Sequence, residues 1–193
     1  MKVTVAKEAG NYEALVGIGL SYGITSDYDW NNDLGLEKYS SLQKIGYKLA
    51  PQNHGHNKFL ESVILWLDID APRYWWQEFD TYRVGVTKQS ESTMHTILHR
   101  HLVQENFQKV IDPVTLGKLN YYIDIKDFDT LKNELPEGFL QRRIVCLNYK
   151  VLRHIFRQRR KHKLLEWQIF IAEVYNKCEN PGYLEDIIGG VVI

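Results

Sequence analysis

Asn148 and Arg159 are the two residues of this sequence whose spacing first suggests chemistry. They stand eleven residues apart, which at about 100° per residue is three turns with a residual of roughly 20°. On a continuous helix both side chains project from one face, with Leu152 and Ile155 between them. An amide at one end, an apolar middle and a guanidinium at the other suit a flat heterocycle with a phosphate or carbonyl nearby. A buried helix whose terminal polar groups form salt bridges shows the same pattern, and on spacing alone that is the better reading. Further cations (Lys150, Arg153, Arg157, Arg160, Lys161 and Lys163) spread around the other faces. Such a run grips nucleic-acid phosphates in some proteins, but it is more often a solvated face or an oligomer contact. Across the chain, 24 Lys and Arg balance 24 Asp and Glu, so there is no global field for nucleic acid or an anionic membrane.

The histidines invite a metal. His54 and His56 flank a glycine, and His95 and His99 stand at i and i+4, a spacing that can ligate zinc. No glutamate follows His95 in the HExxH manner and no cysteine is near, so hydrogen-bonded or surface histidines are expected and no metal is assigned. Glu91, among Ser90, Ser92 and Thr93, is either a base or nucleotide-hydroxyl acceptor or part of a plain helix N-cap. Cys146 and Cys178 lie far apart without CxxC spacing, which fits buried intracellular thiols better than a disulfide or metal site. No nucleophile elbow, Walker loop or GxGxxG is present.

The elements that must position these groups follow from pattern. Val3 and Val5 alternate with Lys2 and Thr4, a short half-buried strand over residues 1–6. Residues 12–20 can form a helix despite Gly17 and Gly19, whose presence hints at close backbone packing or at a ligand. Leu36, Tyr39, Leu42, Ile45 and Leu49 fall at helical spacing before Pro51. Residues 60–69 are apolar almost throughout, a buried strand or helix that periodicity cannot decide. Residues 73–83 read as an aromatic helix, 85–90 as a loop, and 93–103 as a helix with Met94, Ile97, Leu98 and Leu102 inward. Residues 120–125 read as a β segment, 128–135 as a short helix, 139–163 as one long basic helix or two abutting ones, 164–175 as a further helix, and 181–193 as a tail. No repeat, linker or boundary interrupts the 193 residues, so one helix-rich α+β domain with a small sheet is expected. No stretch approaches the roughly 20 apolar residues of a membrane span, and no signal-peptide core follows Met1-Lys2. A soluble cytoplasmic protein without membrane partners is expected.

In order and spacing, these residues resemble the flavin-dependent thymidylate synthases, the ThyX family, over roughly residues 3–167. The family has a His-rich loop, then a glutamate eleven residues before a proline, then an Arg-His-Arg triplet whose last arginine is eleven beyond it. Here His54-Gly55-His56 precedes Glu61, Glu61 to Pro72 is eleven, and Pro72 to Arg83 is eleven. Farther on, Leu135-Pro136, Asn148 twelve beyond that proline and Arg159 eleven beyond Asn148 match the family's order, and Glu166-Trp167 is similar to its Gln-Trp.

The resemblance implies a homotetramer with FAD between subunits and a deoxyuridine nucleotide stacked on the flavin. Carried over by position, Ser21, Lys58 and Glu61 lie at the flavin phosphate end, Arg83, Asn148, Lys150 and His154 meet the cofactor, and Arg159 polarises the pyrimidine carbonyl. Glu78, Glu91, Ser92, Thr93, His95, Lys132 and Arg159 meet the nucleotide, with Arg159 and Glu91 in catalytic roles. The chain departs from the pattern where it matters for chemistry. The Arg-His of the triplet is Thr81-Tyr82, and aligning Glu91 needs a one-residue insertion that puts His95 in place of an arginine. Lysine or histidine gives only a point charge or a pH-dependent donor where arginine grips phosphate bidentately. Two classes of function therefore stand: a divergent flavin- and nucleotide-binding enzyme, or a non-catalytic oligomer that sequesters a nucleotide, as a viral anti-defence protein would. A basic-helix nucleic-acid binder trails both.

Overall fold

The computed structural model describes residues 1–189. Four strands, β1 (Lys2–Ala9), β2 (Ile64–Pro72), β3 (Val86–Ser90) and β4 (Leu140–Asn148), form one antiparallel sheet in the order β1-β2-β4-β3. The apolar run that periodicity left open is the central strand β2. Leu65, Leu67, Ile69 and Ala71 are fully buried on one face, while Trp66, Asp68 and Asp70 occupy the other. One packed face and one polar face is the usual state of an antiparallel sheet.

The covering layer is helical. Pro72, extended at φ −68°, turns β2 directly into α3 (Arg73–Phe79), which places Trp75, Trp76 and Phe79 on the buried side of the sheet. Helices α7 (Tyr149–Arg159) and α8 (Leu165–Lys177) add Leu152, Ile155 and Phe156 and then Trp167, Phe170, Ile171 and Val174 to the same core. Before β2, α1 (Asn11–Ser21) and α2 (Leu36–Leu49) pack on one another around Leu15, Val16, Ile18 and Leu42. Between β3 and β4, a one-turn helix α4 (Thr93–Thr96), then α5 (Pro113–Asp124) and α6 (Phe128–Glu134), enclose a small second core of Ile97, Leu102, Phe107, Leu119, Ile123 and Leu131. A last short helix, α9 (Glu185–Ile188), closes over α7. The result is the helix-rich α+β arrangement with a small sheet that the sequence implied.

Several expected elements differ. Residues 139–163 are not one helix: residues 140–148 pair with β2 from Ile64↔Asn148 to Pro72↔Leu140, and only then does α7 begin. Asn148 is the N-cap of α7, extended at φ −104° and ψ 165°, and its Oδ1 accepts from the Val151 N–H at 2.9 Å. It therefore does not share a helix face with Arg159. Residues 86–90 are a strand on β4 rather than a loop. Residues 120–125 are the end of α5, because Asp112 caps its first turn through the Thr115 N–H and Pro113 sets the first helical φ. The helix expected over 93–103 lasts one turn, and Met94, placed inward, is exposed. Helix α3 stops at Phe79, so Arg83 lies beyond it. Of the tail, residues 190–193 lie outside the described residues.

Candidate functional site

Arg159 ends α7 in a cluster of side chains drawn from three parts of the chain. Its Nε donates to the Tyr82 hydroxyl at 2.9 Å, and one terminal nitrogen donates to Glu78 at 2.9 Å. The guanidinium carbon lies 4.6 Å from the Trp167 ring centre, a stacked cation–π arrangement. The same Glu78 oxygen accepts from the Trp167 indole N–H at 2.7 Å and faces His162 Nε2 at 3.3 Å. Tyr82 is buried and donates onward to Gln158 at 2.8 Å. Tyr82 stands where the resemblance expects a histidine, and it acts here as a brace for Arg159. Beside it, Thr81 and Arg83 are exposed.

Asp80, just after α3, joins this cluster to the sheet. It accepts from Arg143 at 2.9 and 3.0 Å and pairs with Lys88 at 3.0 Å. Burial pushes its pKa up, but the hydrogen bonds from Lys88 and Arg143 win and hold it below the ordinary 3.8. Arg142 holds Asp68 below 3.8 too, through two hydrogen bonds at 2.8 and 2.5 Å. Because both folded-state values are depressed, the unfolded chain takes up protons first as pH falls. This stabilisation is present above about pH 4 and is lost through the folded-state values below it. The urea midpoint is expected to drop between pH 6 and pH 3, and to drop less in an Asp80→Asn variant.

A cleft of about 710 Å³ opens along α1. The two glycines of α1 serve different ends. A Cβ on Gly19 would come within 2.5 Å of the Thr25 side chain, so this glycine permits close packing. Among the described residues a Cβ on Gly17 would meet nothing within 4 Å, and Gly17 lines the cleft. Facing it are Ser21, His54, His56 and Lys58, all exposed and without side-chain hydrogen bonds among the described residues. One cation, two imidazoles and a hydroxyl can donate to a phosphate or pyrophosphate there, while the Glu13 carboxylate lines the same cleft from α1. Glu61, placed with them by resemblance, instead pairs with Lys150 at 2.5 Å on the neighbouring rim. His154, one turn along α7 from Lys150, is exposed, with its ring 6.2 Å from that of Tyr82.

The residues assigned to the nucleotide fall into two places. Glu91 and Thr93 line a cleft of about 910 Å³ along the open end of β3 and β4, a cleft that does not include Arg159. Lys132 reaches the edge of this region and donates to the Thr93 hydroxyl at 2.7 Å. Burial, then the Arg73 charge, pulls its ammonium below the ordinary lysine range. Ser92 is the N-cap of α4, with its carbonyl accepting from Thr96, and His95 is exposed. Glu78, by contrast, sits with Arg159. Sequence reasoning missed the bracing roles of Tyr82, His162 and Trp167, which meet Arg159 and Glu78 from separate parts of the chain.

No protein-family model matches this chain, and no curated protein matches it in sequence. Solved structures do. The flavin-dependent thymidylate synthase ThyX from Helicobacter pylori, complexed with FAD and dUMP, superposes with a TM-score of 0.78 at 17% identity, over 97% of this chain and 99% of that one. PolB, a UMP/dUMP methylase from Streptomyces cacaoi bound with 5-Br dUMP, superposes with a TM-score of 0.68 at 12% identity, over 97% of this chain and 94% of that one. The chain therefore has the fold of the flavin-dependent thymidylate synthases. Within that fold this chain is divergent. Among the described residues no helix is long and apolar enough to cross a membrane.

Proposed function

We propose that this chain binds a flavin dinucleotide and a pyrimidine nucleotide in pockets completed by further copies of itself. The observation that supports the reading is the α1 cleft, where Gly17, Ser21, His54, His56 and Lys58 leave an open cradle of donors opposite Glu13 on a fold that holds FAD in the Helicobacter protein. Ser21 and Lys58 hold the phosphate end of FAD, and Arg83, Asn148, Lys150 and His154 border the rest of it. When bound, flavin supplies the hydride and carries the methylene transfer; the protein supplies position and charge. The separation of Glu91 from Arg159 within one chain supports a pocket shared between subunits, and a homotetramer is the assembly that the fold resemblance implies. A monomer in light scattering would count against it.

The purified protein is expected to take up FAD, read as flavin absorbance retained through gel filtration. Lys58→Ala should weaken that binding about tenfold, the lower end for a charged hydrogen bond at an exposed site. Protein that stays colourless with excess FAD would end the flavin reading.

A second reading has its own support. Thr81-Tyr82 stands where the family carries Arg-His, and Arg159 is bound to Glu78, Tyr82 and Trp167. Such a pocket keeps a nucleotide without transferring a methyl group to it, and a sequestering protein needs no more. Reduced flavin reoxidised on adding dUMP and a methylene-carrying folate would select the enzyme. Nucleotide binding with no turnover would select the sequestering protein.

A further inference from the structure

Between the end of β1, the first turn of α1, α2 and the segment after α8 lies a cavity of about 340 Å³. It is lined by none of the residues given to the flavin or the nucleotide. Glu8, Glu13 and Glu179 line it, and among the described residues no lysine, arginine or histidine does. Three donors hold Glu8 in place: the Tyr149 hydroxyl at 2.8 Å, the Asn180 amide at 3.0 Å and the Glu179 N–H at 2.5 Å. Glu13 and Glu179 are exposed, and their carboxylates make no ion pair or hydrogen bond among the described residues. The first turn of α1 offsets about half a charge, so the three carboxylates still leave the space anionic.

A solvated acidic surface would show as much; it does not account for Asn180. This residue is 4% exposed and lines the cavity. Its Nδ2 donates to Glu8, which fixes the amide and leaves its Oδ1 with no donor among the described residues. An acceptor at a buried residue is costly to leave unpaired, and a donor supplied from the cavity removes that cost. On another side stand Tyr12 and Tyr39, with ring centres 6.1 Å apart and planes at 19°. A cation is attracted to the face of a tyrosine ring. A bare metal ion gains little from such rings and needs several converging oxygens. Among the described residues no group of three or more His, Cys, Asp or Glu side chains is placed to hold one.

We propose that this cavity binds a small organic cation with an ammonium or guanidinium head on a short apolar stem. Such a head carries several N–H donors, enough for the carboxylates and the Asn180 oxygen together. Its stem packs against the tyrosine rings. The volume is near the lower end of the roughly 300–1,000 Å³ of ligand pockets, so an amine of a few carbons fits whole. Glu13 also lines the α1 cleft, whereas Glu179 and Tyr39 do not. Those two residues therefore separate this site from the proposed flavin cradle.

Isothermal titration of the full chain with butylamine, butylguanidine and magnesium chloride tests this. Saturable binding of at least one of the two organic cations is expected, and the tighter of them identifies the preferred head. Glu179→Gln is expected to weaken that binding about tenfold, and Tyr39→Leu about threefold. Asp129→Asn removes an exposed acid from α6, away from the cavity, and is expected to leave binding unchanged. An equal loss in Asp129→Asn and Glu179→Gln would show attraction by net charge alone and overturn the site. Magnesium held as tightly as the organic cations, and equally weakened by Glu179→Gln, would overturn it too. So would the absence of saturable binding of either cation at millimolar concentration. Should Tyr39→Leu not fold, Glu179→Gln still decides, because that carboxylate holds no other part of the described chain.

Discussion

Trp75→Ala is expected to cost about 3–5 kcal/mol of folding stability. The Trp75 side chain is fully buried under the sheet. Its ring packs 4.9 Å from Trp76, 5.0 Å from Phe79, 4.7 Å from Trp167 and 5.5 Å from Phe170, centre to centre. Alanine would leave a cavity walled by rigid rings that cannot collapse into it. Trp75 also carries a buried indole N–H with no partner among the described residues, so phenylalanine removes a cost as well as a contact. Trp75→Phe is therefore expected to lose under about 1.5 kcal/mol, as near-conservative core exchanges do. Urea unfolding of the three proteins measures both. Equal losses for alanine and phenylalanine would show that the indole N–H is satisfied in solution.

Because Trp75 and Phe79 support Trp167, the core loss reaches Arg159, whose guanidinium lies on that indole. The aromatic wall and the polar cluster are one structure. That wall was legible from sequence: a proline after an apolar run, then Tyr74, Trp75, Trp76 and Phe79, predicts an aromatic helix starting at Pro72, and α3 is that helix. The amphipathic α2 was legible for the same reason, since its apolar spacing is strongly helical. Residues 139–148 were not. The mixture of Leu, Arg, Ile and Val there, without clean alternation, fits either element, and the nine-residue register with β2 decides for strand, a tertiary pairing that overrides local preference. The missed signal was Asn148, a preferred N-cap residue that starts α7.

The site was legible in spacing more than in geometry. Asn148 and Arg159 match the family interval, yet the reason first given for it, a shared helix face, fails because Asn148 precedes the helix. Arg159 remains at the end of α7 all the same. Glu91, Thr93 and Lys132 were assigned together and do lie together. Glu61 was assigned to the same group as Ser21 and Lys58, yet its strongest contact is Lys150. Charge partners that come from distant elements leave no trace in a linear pattern, which is why the Glu78–Arg159–Trp167 cluster could not be read from one sequence.

That cluster sets the second large effect: Glu78→Gln is expected to tighten binding of a deoxyuridine nucleotide about tenfold, and Arg159→Ala to weaken it by at least as much. One Glu78 oxygen accepts from Arg159 at 2.9 Å and from Trp167 at 2.7 Å, and it also faces His162 at 3.3 Å. Arg159 has a second terminal nitrogen with no hydrogen bond among the described residues, and this nitrogen is the donor left for a ligand. The Glu78 carboxylate is acceptor-only and partly exposed, so it competes for the guanidinium and repels an anionic nucleotide. Glutamine keeps the shape and an oxygen for the Trp167 indole while removing the charge. Stacking on Trp167 and the bond to Tyr82 still hold Arg159 in place. One recovered charged hydrogen bond is worth about 1.5–3 kcal/mol, and partial exposure sets the effect at the lower end, about tenfold. Calorimetric titration of dUMP into both variants measures it. Weaker binding in Glu78→Gln would mean that the carboxylate itself accepts from the nucleotide, and that Arg159 is its support and not the contact.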